Sequence, residues 1–83
     1  MKRPRRIKIV WEKMPDAWGK ADHDVSTIWL DPRMDDKSLL EVAAHEVAHI
    51  VFTFIDEETI SLFDRQLSDV FTRIRRARKQ VDE

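Results

Sequence analysis

Ala43-Ala44-His45-Glu46-Val47-Ala48-His49 is the stretch that decides how this sequence is interpreted. Its two histidines are four residues apart, and residues at that spacing lie one turn apart on the same face of an α-helix. The flanking sequence also predicts a helix, from about Lys37 to Phe54, because its apolar residues recur at intervals of three and four. This predicted core stripe consists of Leu40, Ala44, Val47, Val51 and Phe54.

A second amphipathic helix is predicted directly after the first, from about Glu57 to near Lys79. Short carboxylates can accept hydrogen bonds from the first backbone N–H groups of a helix, so Asp35 or Asp36 would cap the first helix and Asp56 the second. A connection of one or two residues would force the helices into an antiparallel hairpin. The apolar stripe of the second helix consists of Ile60, Phe63, Leu67, Val70 or Phe71, and Ile74.

The N-terminal part of the chain predicts three short β-strands. Ile7–Trp11 is rich in β-branched and aromatic residues, and strands at 17–21 and 25–30 would be joined through Asp22-His23-Asp24. Asp31-Pro32 would end the last strand. The sequence therefore predicts an α+β fold, in which a small antiparallel sheet of about three strands packs on the helical hairpin, with Ile28 and Leu30 against the first helix.

Length and composition limit what the chain can be. Its 83 residues predict a single domain, 1–83, with basic tails over about 1–6 and 75–83. The absence of cysteine excludes disulfides and thiolate metal sites and fits a reducing compartment, so we expect a cytoplasmic protein. No apolar segment has the length of a membrane span or the form of a secretory signal, so we expect no membrane partner.

The His45-Glu46-x-x-His49 pattern predicts a metal site with an adjacent general base. A catalytic zinc ion takes three protein ligands and one water, and both imidazoles could supply a nitrogen. Glu46 lies beside their face, where its carboxylate could take a proton from the zinc-bound water. The neighbours are almost all apolar, and a cation would satisfy polar groups that are costly to bury alone. The alternative is that the histidines are partly exposed or bonded to backbone and that Glu46 faces water.

The same residues resemble a family. Together with segments 18–21, 27–33 and 56–58, the His45–His49 motif resembles a zincin metallopeptidase of the gluzincin type, in a very small form such as phage genomes encode. The resemblance covers roughly residues 17–72, and only the motif is highly specific. It implies hydrolysis of a peptide or protein substrate, a glutamate ligand from the following helix, and a substrate cleft bordered by the strand before the motif helix. For a phage protein the location would be the host cytoplasm.

Glu57, Glu58 and Asp64 are the candidates for the third ligand. On a helical wheel Glu57 and Asp64 flank the apolar stripe of the second helix, whereas Glu58 points nearly away from it. We therefore favour Glu57, with Glu58 as the alternative because a first-turn residue need not follow the wheel. Asp64 would lie level with the histidines and could orient one of them through its second nitrogen. Acidic residues are also favoured in a first turn by the helix dipole alone.

Several alternatives remain open from the sequence. Gluzincins usually place a tyrosine or histidine opposite the base, but this chain has no tyrosine, and we expect His23 to be an exposed turn residue. Strand 25–30 could receive a peptide by edge pairing. We expect Zn²⁺, although such ligands also suit cobalt, nickel or manganese. The competing functions are a weak or inactive zinc-containing docking or inhibitor module, and a nucleic-acid-associated protein that uses its basic ends.

Overall fold

The computed structural model describes residues 6–82, and side chains as far as residue 79. The predicted α+β class is confirmed. Residues 1–5 of the predicted N-terminal tail lie outside the described residues, as does Glu83, while residues 75–82 continue the second helix. In chain order the elements are β1 (Lys8–Trp11), β2 (Gly19–Asp22), a 3-10 turn (His23–Val25), β3 (Thr27–Leu30), α1 (Asp36–Val51) and α2 (Glu57–Asp82).

The three strands form one mixed sheet in the order β1-β3-β2. β2 runs antiparallel to β3, with Gly19 opposite Leu30, whereas β1 runs parallel to β3, with Ile9 opposite Ile28. The prediction of a wholly antiparallel sheet is therefore wrong for β1. Burial explains the order, because β3 is the strand with the most buried residues and the central position covers both of its edges.

Asp31 holds the segment before β2 against the end of β3. Its fully buried carboxylate accepts hydrogen bonds from the backbone N–H of Met14 (3.0 Å) and from the Arg33 side chain (2.6 and 2.9 Å). The Arg33 guanidinium holds the pKa of this carboxyl well below its usual range, although burial acts in the opposite direction. The Asp31 N–H also donates to the carbonyl of Trp18, which fixes the point where the chain enters β2.

The helix caps agree with the sequence-based prediction, but the linker between the helices is longer than predicted. Backbone N–H groups donate to Asp35 before α1 and to Asp56 before α2, both at 2.7 Å. α1 ends at Val51, three residues before the predicted end, because residues 51–55 are β-branched or aromatic and therefore weak helix formers. The connection spans five residues, 52–56, rather than one or two. It still produces an antiparallel hairpin, in which contacts run in opposite order along the two helices.

The core is small, and most of the predicted α2 stripe lies outside it. The buried apolar residues of the described chain are Ile28, Leu30, Ala48 and Ile60. The remaining five residues of the predicted α2 stripe are 38–56% exposed, and Val51 and Phe54 of the predicted α1 stripe are exposed as well. α2 instead buries Ile60, Asp64 and Ser68, which are spaced by four and face α1. Neither helix of the described chain combines the length and apolarity that crossing a bilayer requires.

Candidate metal centre

Side chains from both helices converge at one point. Nε2 of His45 and Nε2 of His49 are 3.1 Å apart. The Glu57 carboxylate reaches both, with Oε1 at 2.6 Å from the His45 nitrogen and Oε2 at 2.7 Å from the His49 nitrogen. Zinc–nitrogen bonds of about 2.0–2.1 Å in a tetrahedral site would place two nitrogens roughly 3.3 Å apart. The three side chains therefore form a group that could hold a metal ion.

The positions of these three side chains follow from the local structure. His45 and His49 lie one turn apart on α1, and Glu57 is the first residue of α2, which the 52–56 linker returns toward the end of α1. Glu58, the alternative third ligand, is exposed and does not belong to the group that the described residues form. The structure therefore brings the favoured glutamate to the histidines. The Glu57 side chain is 66% exposed, so it closes the group from the solvent side.

Asp64 lies behind His45. Its carboxylate, only 5% exposed, contacts Nδ1 of the imidazole. Because an ionised carboxylate can only accept, Nδ1 donates to it, and this arrangement directs Nε2 toward His49 and Glu57. Asp64 therefore lies level with His45, as expected for an antiparallel hairpin.

The electrostatic setting favours a cation at this point. Burial lowers the pKa of the His45 imidazole, but the hydrogen bond to Asp64 and the negative charges of Glu57, Asp64 and Glu46 outweigh it, so the pKa is raised. Without a metal ion both ring nitrogens can therefore carry protons, one facing Asp64 and one facing Glu57. Metal ions compete with protons for such ligands, and a bound ion would replace the proton on Nε2.

Glu46 is buried between α1 and β2, with 6% of its surface exposed. Burial raises the pKa of its carboxyl, and the positive charges of His45 and His49 oppose this effect in part. Gly19 makes the close approach of β2 possible. A Cβ at that position would lie 2.7 Å from Cγ1 of Val42 and 3.1 Å from Cγ of Glu46, closer than side chains tolerate.

An open cleft lies in front of these groups. One wall is formed by β2 and the 3-10 turn, and the other walls belong to the two helices. The sequence leaves open that strand 25–30 receives a peptide by edge pairing, but β3 is paired on both sides, and β2 is the edge strand at the cleft. His23 is exposed, as predicted, yet it also lines the cleft, and no sequence pattern indicates that position. Residues of the two helices that line the cleft include Glu41, Val42, Ser61 and Arg65, and Thr53 of the linker lines it as well.

Comparison with known proteins gives no relative for this arrangement. No family model, no curated protein and no solved structure matches the chain. The resemblance to zincins therefore stays a prediction that depends on the His45–His49 motif. Beyond the motif, the structure places two carboxylates of α2, those of Glu57 and Asp64, in contact with the His45 imidazole of α1.

Proposed function

We propose that the chain is a small zinc-dependent metallopeptidase, in which His45, His49 and Glu57 hold the ion and Glu46 is the general base. One observation supports this most strongly: three ligand atoms from two helices converge beside a buried carboxylate, at the floor of an open cleft. Two histidines at helical spacing can occur by chance, but the sequence spacing does not require Glu57 to reach both of them. This convergence favours a metal site over unrelated exposed side chains.

The ligand residues fit a zinc ion in chemistry as well as in position. Two imidazole nitrogens and one carboxylate are a ligand set of catalytic zinc sites, which leave one position open. When bound, the ion would supply Lewis-acid chemistry, polarising a carbonyl oxygen and making water more acidic. Asp64 would keep the His45 ring in the orientation that presents Nε2, which is the usual role of a carboxylate behind a ligating histidine.

Glu46 would move the proton. Its buried carboxylate has a raised pKa, which makes it a stronger base than an exposed glutamate. It would take a proton from a water molecule in the cleft as the water oxygen bonds to the peptide carbonyl carbon. The same proton would then pass to the amide nitrogen as the C–N bond breaks, leaving a carboxylic acid and an amine.

The substrate would be an extended peptide segment lying along β2. Among the described strands, β2 pairs on one side only, and its other edge borders the cleft. Backbone groups on such an edge can bind an extended chain by strand addition. The imidazole of His23, which lines the cleft, would donate to a substrate oxygen in place of the missing tyrosine. A cytoplasmic location, in the host if a phage encodes the protein, stays a prediction.

Metal content is the first test of the proposal. Protein purified without chelator or histidine tag should contain about one zinc per chain, and His45→Ala should lose it. His23→Ala is the matched control, because this histidine lies outside the ligand group, and it should retain zinc. Absence of zinc from the native chain, with no rise in melting temperature on adding zinc, would show that the metal site is wrong.

Cleavage tests the second half of the proposal. Glu46→Gln should keep zinc at the native stoichiometry and lose at least about 10²-fold in turnover of an unstructured protein such as casein, because it removes the proton acceptor. If the native chain binds zinc but cleaves no extended substrate, the peptidase assignment fails. The zinc-containing docking or inhibitor module would then be the function that the metal site supports.

A further inference from the structure

A groove opens between the two helices where α1 begins, at the opposite end of the hairpin from the 52–56 linker. The face of α2 that packs on α1 follows a row of buried residues four apart, which ends at Ser68. One more step along this row leads to Thr72, which lines the groove. Beyond Ser68 no described side chain of α2 is buried, so this part of the interface between the helices is open to a ligand.

The groove is strongly basic. Four cationic side chains line it, against one acidic side chain, that of Asp36. Among the described residues, none of the four cations has an ion pair or a side-chain hydrogen bond. The groove therefore carries positive charge that the described chain does not neutralise. The cations come from both helices and are Lys37 of α1 and Arg75, Arg76 and Lys79 of α2.

Apolar groups lie among these cations. Leu40 of α1 and Phe71 of α2 line the same groove, and Phe71 is 44% exposed. A ligand that combines anionic groups with flat apolar groups would therefore match both kinds of lining. Guanidinium groups bind phosphate through two parallel hydrogen bonds, and exposed aromatic rings stack on nucleic-acid bases. A basic groove that contains an aromatic ring is typical of proteins that bind single-stranded nucleic acid.

We propose that this groove binds a single strand of DNA or RNA, with the four cations on successive phosphates and Phe71 stacked on a base. A duplex fits less well, because its bases are already stacked on one another and must be unstacked before a side chain can reach their faces. An acidic peptide would pair with the cations but has no base for Phe71. The groove is separate from the candidate metal centre, since Lys37 precedes His45 by eight residues, about 12 Å along a helix. The proposal therefore depends neither on the metal nor on peptidase activity.

Salt dependence of binding tests the phosphate contacts. Fluorescence anisotropy of a labelled oligothymidylate of about 12 nucleotides, titrated with the full chain, should give a Kd of about 1–100 μM at physiological salt. Four phosphate contacts predict a slope of about −3 for log K against log salt concentration, and Arg76→Gln or Arg75→Gln should each make it shallower by about 0.7. Arg73→Gln is the matched control. Arg73 lies on the same helix but outside the groove and is ion-paired with Asp69, so this variant should keep the native slope.

Phe71→Leu tests the stacking contact. It keeps an apolar side chain but removes the ring, so we expect affinity to fall by about 5- to 100-fold with an unchanged salt slope, because stacking releases no counterions. Circular dichroism should show native helix content in all variants. A native slope near zero, or equal effects of Arg73→Gln and Arg76→Gln, would overturn the site. Native affinity in Phe71→Leu, together with equal competition by a polyglutamate of the same charge, would assign the groove to acidic peptides instead.

Discussion

Nδ1 of His45 donates a hydrogen bond to the buried carboxylate of Asp64, so a residue of α2 fixes the orientation of a histidine on α1. The same imidazole points its Nε2 toward His49 and Glu57. The hairpin therefore does more than bring the candidate ligands together. It also determines which nitrogen His45 presents to His49 and Glu57.

Removing the charge of Asp64 should weaken metal binding without removing a ligand. We expect Asp64→Asn to lower zinc affinity by about 10–100-fold, because the amide holds the His45 ring less firmly and no longer increases its basicity. Isothermal titration in a competing chelator measures the change. Asp69→Asn, an exposed carboxylate on the same helix, should leave affinity unchanged. Equal affinities for the native chain and Asp64→Asn would contradict the orienting role.

The two neighbouring glutamates at the start of α2 should behave differently. Glu57→Ala removes a carboxylate that reaches both imidazoles, so we expect zinc to fall below one per chain and the affinity to drop by at least about tenfold. Glu58→Ala removes an exposed first-turn carboxylate with the same helix-dipole effect. It should retain native stoichiometry, as measured by atomic emission. The reverse result would mean that Glu58 is the third ligand.

The metal-free chain should lose stability as pH rises. Because the pKa of His45 is raised above its ordinary 6.5, its contribution is fully present below pH 6.5 and is lost as pH rises through the folded-state pKa. The raised pKa of Glu46 acts in the same direction above its ordinary 4.5, since the buried carboxyl is most stable when neutral. Melting temperatures in EDTA from pH 5 to 8 should therefore decline.

Zinc should reverse this trend. Protons and metal compete for His45, so the rise in melting temperature on adding zinc should increase with pH over the same range. The His45→Asn chain is the control, because it lacks both the titrating group and the ligand, and it should show a smaller decline in EDTA and little response to zinc. A zinc effect that is independent of pH would argue against binding at this imidazole.

A side chain at Gly19 should displace β2. We expect Gly19→Ala to destabilise the fold by about 1–3 kcal/mol, because its Cβ would lie 2.7 Å from Val42 and crowd Glu46. Chemical denaturation of the zinc-loaded protein measures the loss. Lys20→Ala is the neighbouring control, since Lys20 is exposed and its ammonium lies over Trp29, away from Glu46. Equal stability of Gly19→Ala and the native chain would show that β2 can move without cost.

The sequence predicts the parts of the molecule that depend on local spacing. The shared face of His45 and His49, the Asp56 cap and the existence of both helices follow from periodicity and helix-end chemistry. The order of the strands cannot be predicted in this way, because no local pattern shows that β3 lies between β1 and β2. The choice between Glu57 and Glu58 depends on the path of the 52–56 linker, which propensity does not determine.

The apolar stripe that the sequence predicts for the second helix shows a different limit. Phe63 and Ile74 belong to an amphipathic pattern, and such a pattern identifies an apolar face without identifying what covers it. Here the contact of Asp64 with His45 turns another face of α2 toward α1. The prediction that this apolar stripe forms the core was therefore wrong for the stripe residues after Ile60. The contacts of the candidate site determine which face of α2 packs on α1.

The candidate ligands come from both helices, so a bound ion would connect metal supply to the stability of the fold. An ion bound there would tie α1 to α2 in a chain with only four buried apolar residues among those described. Binding to the folded state alone shifts the folding equilibrium. If the ion is zinc, more chains would open and reach proteases in a zinc-starved cell. The amount of protein would then follow zinc supply as well as synthesis.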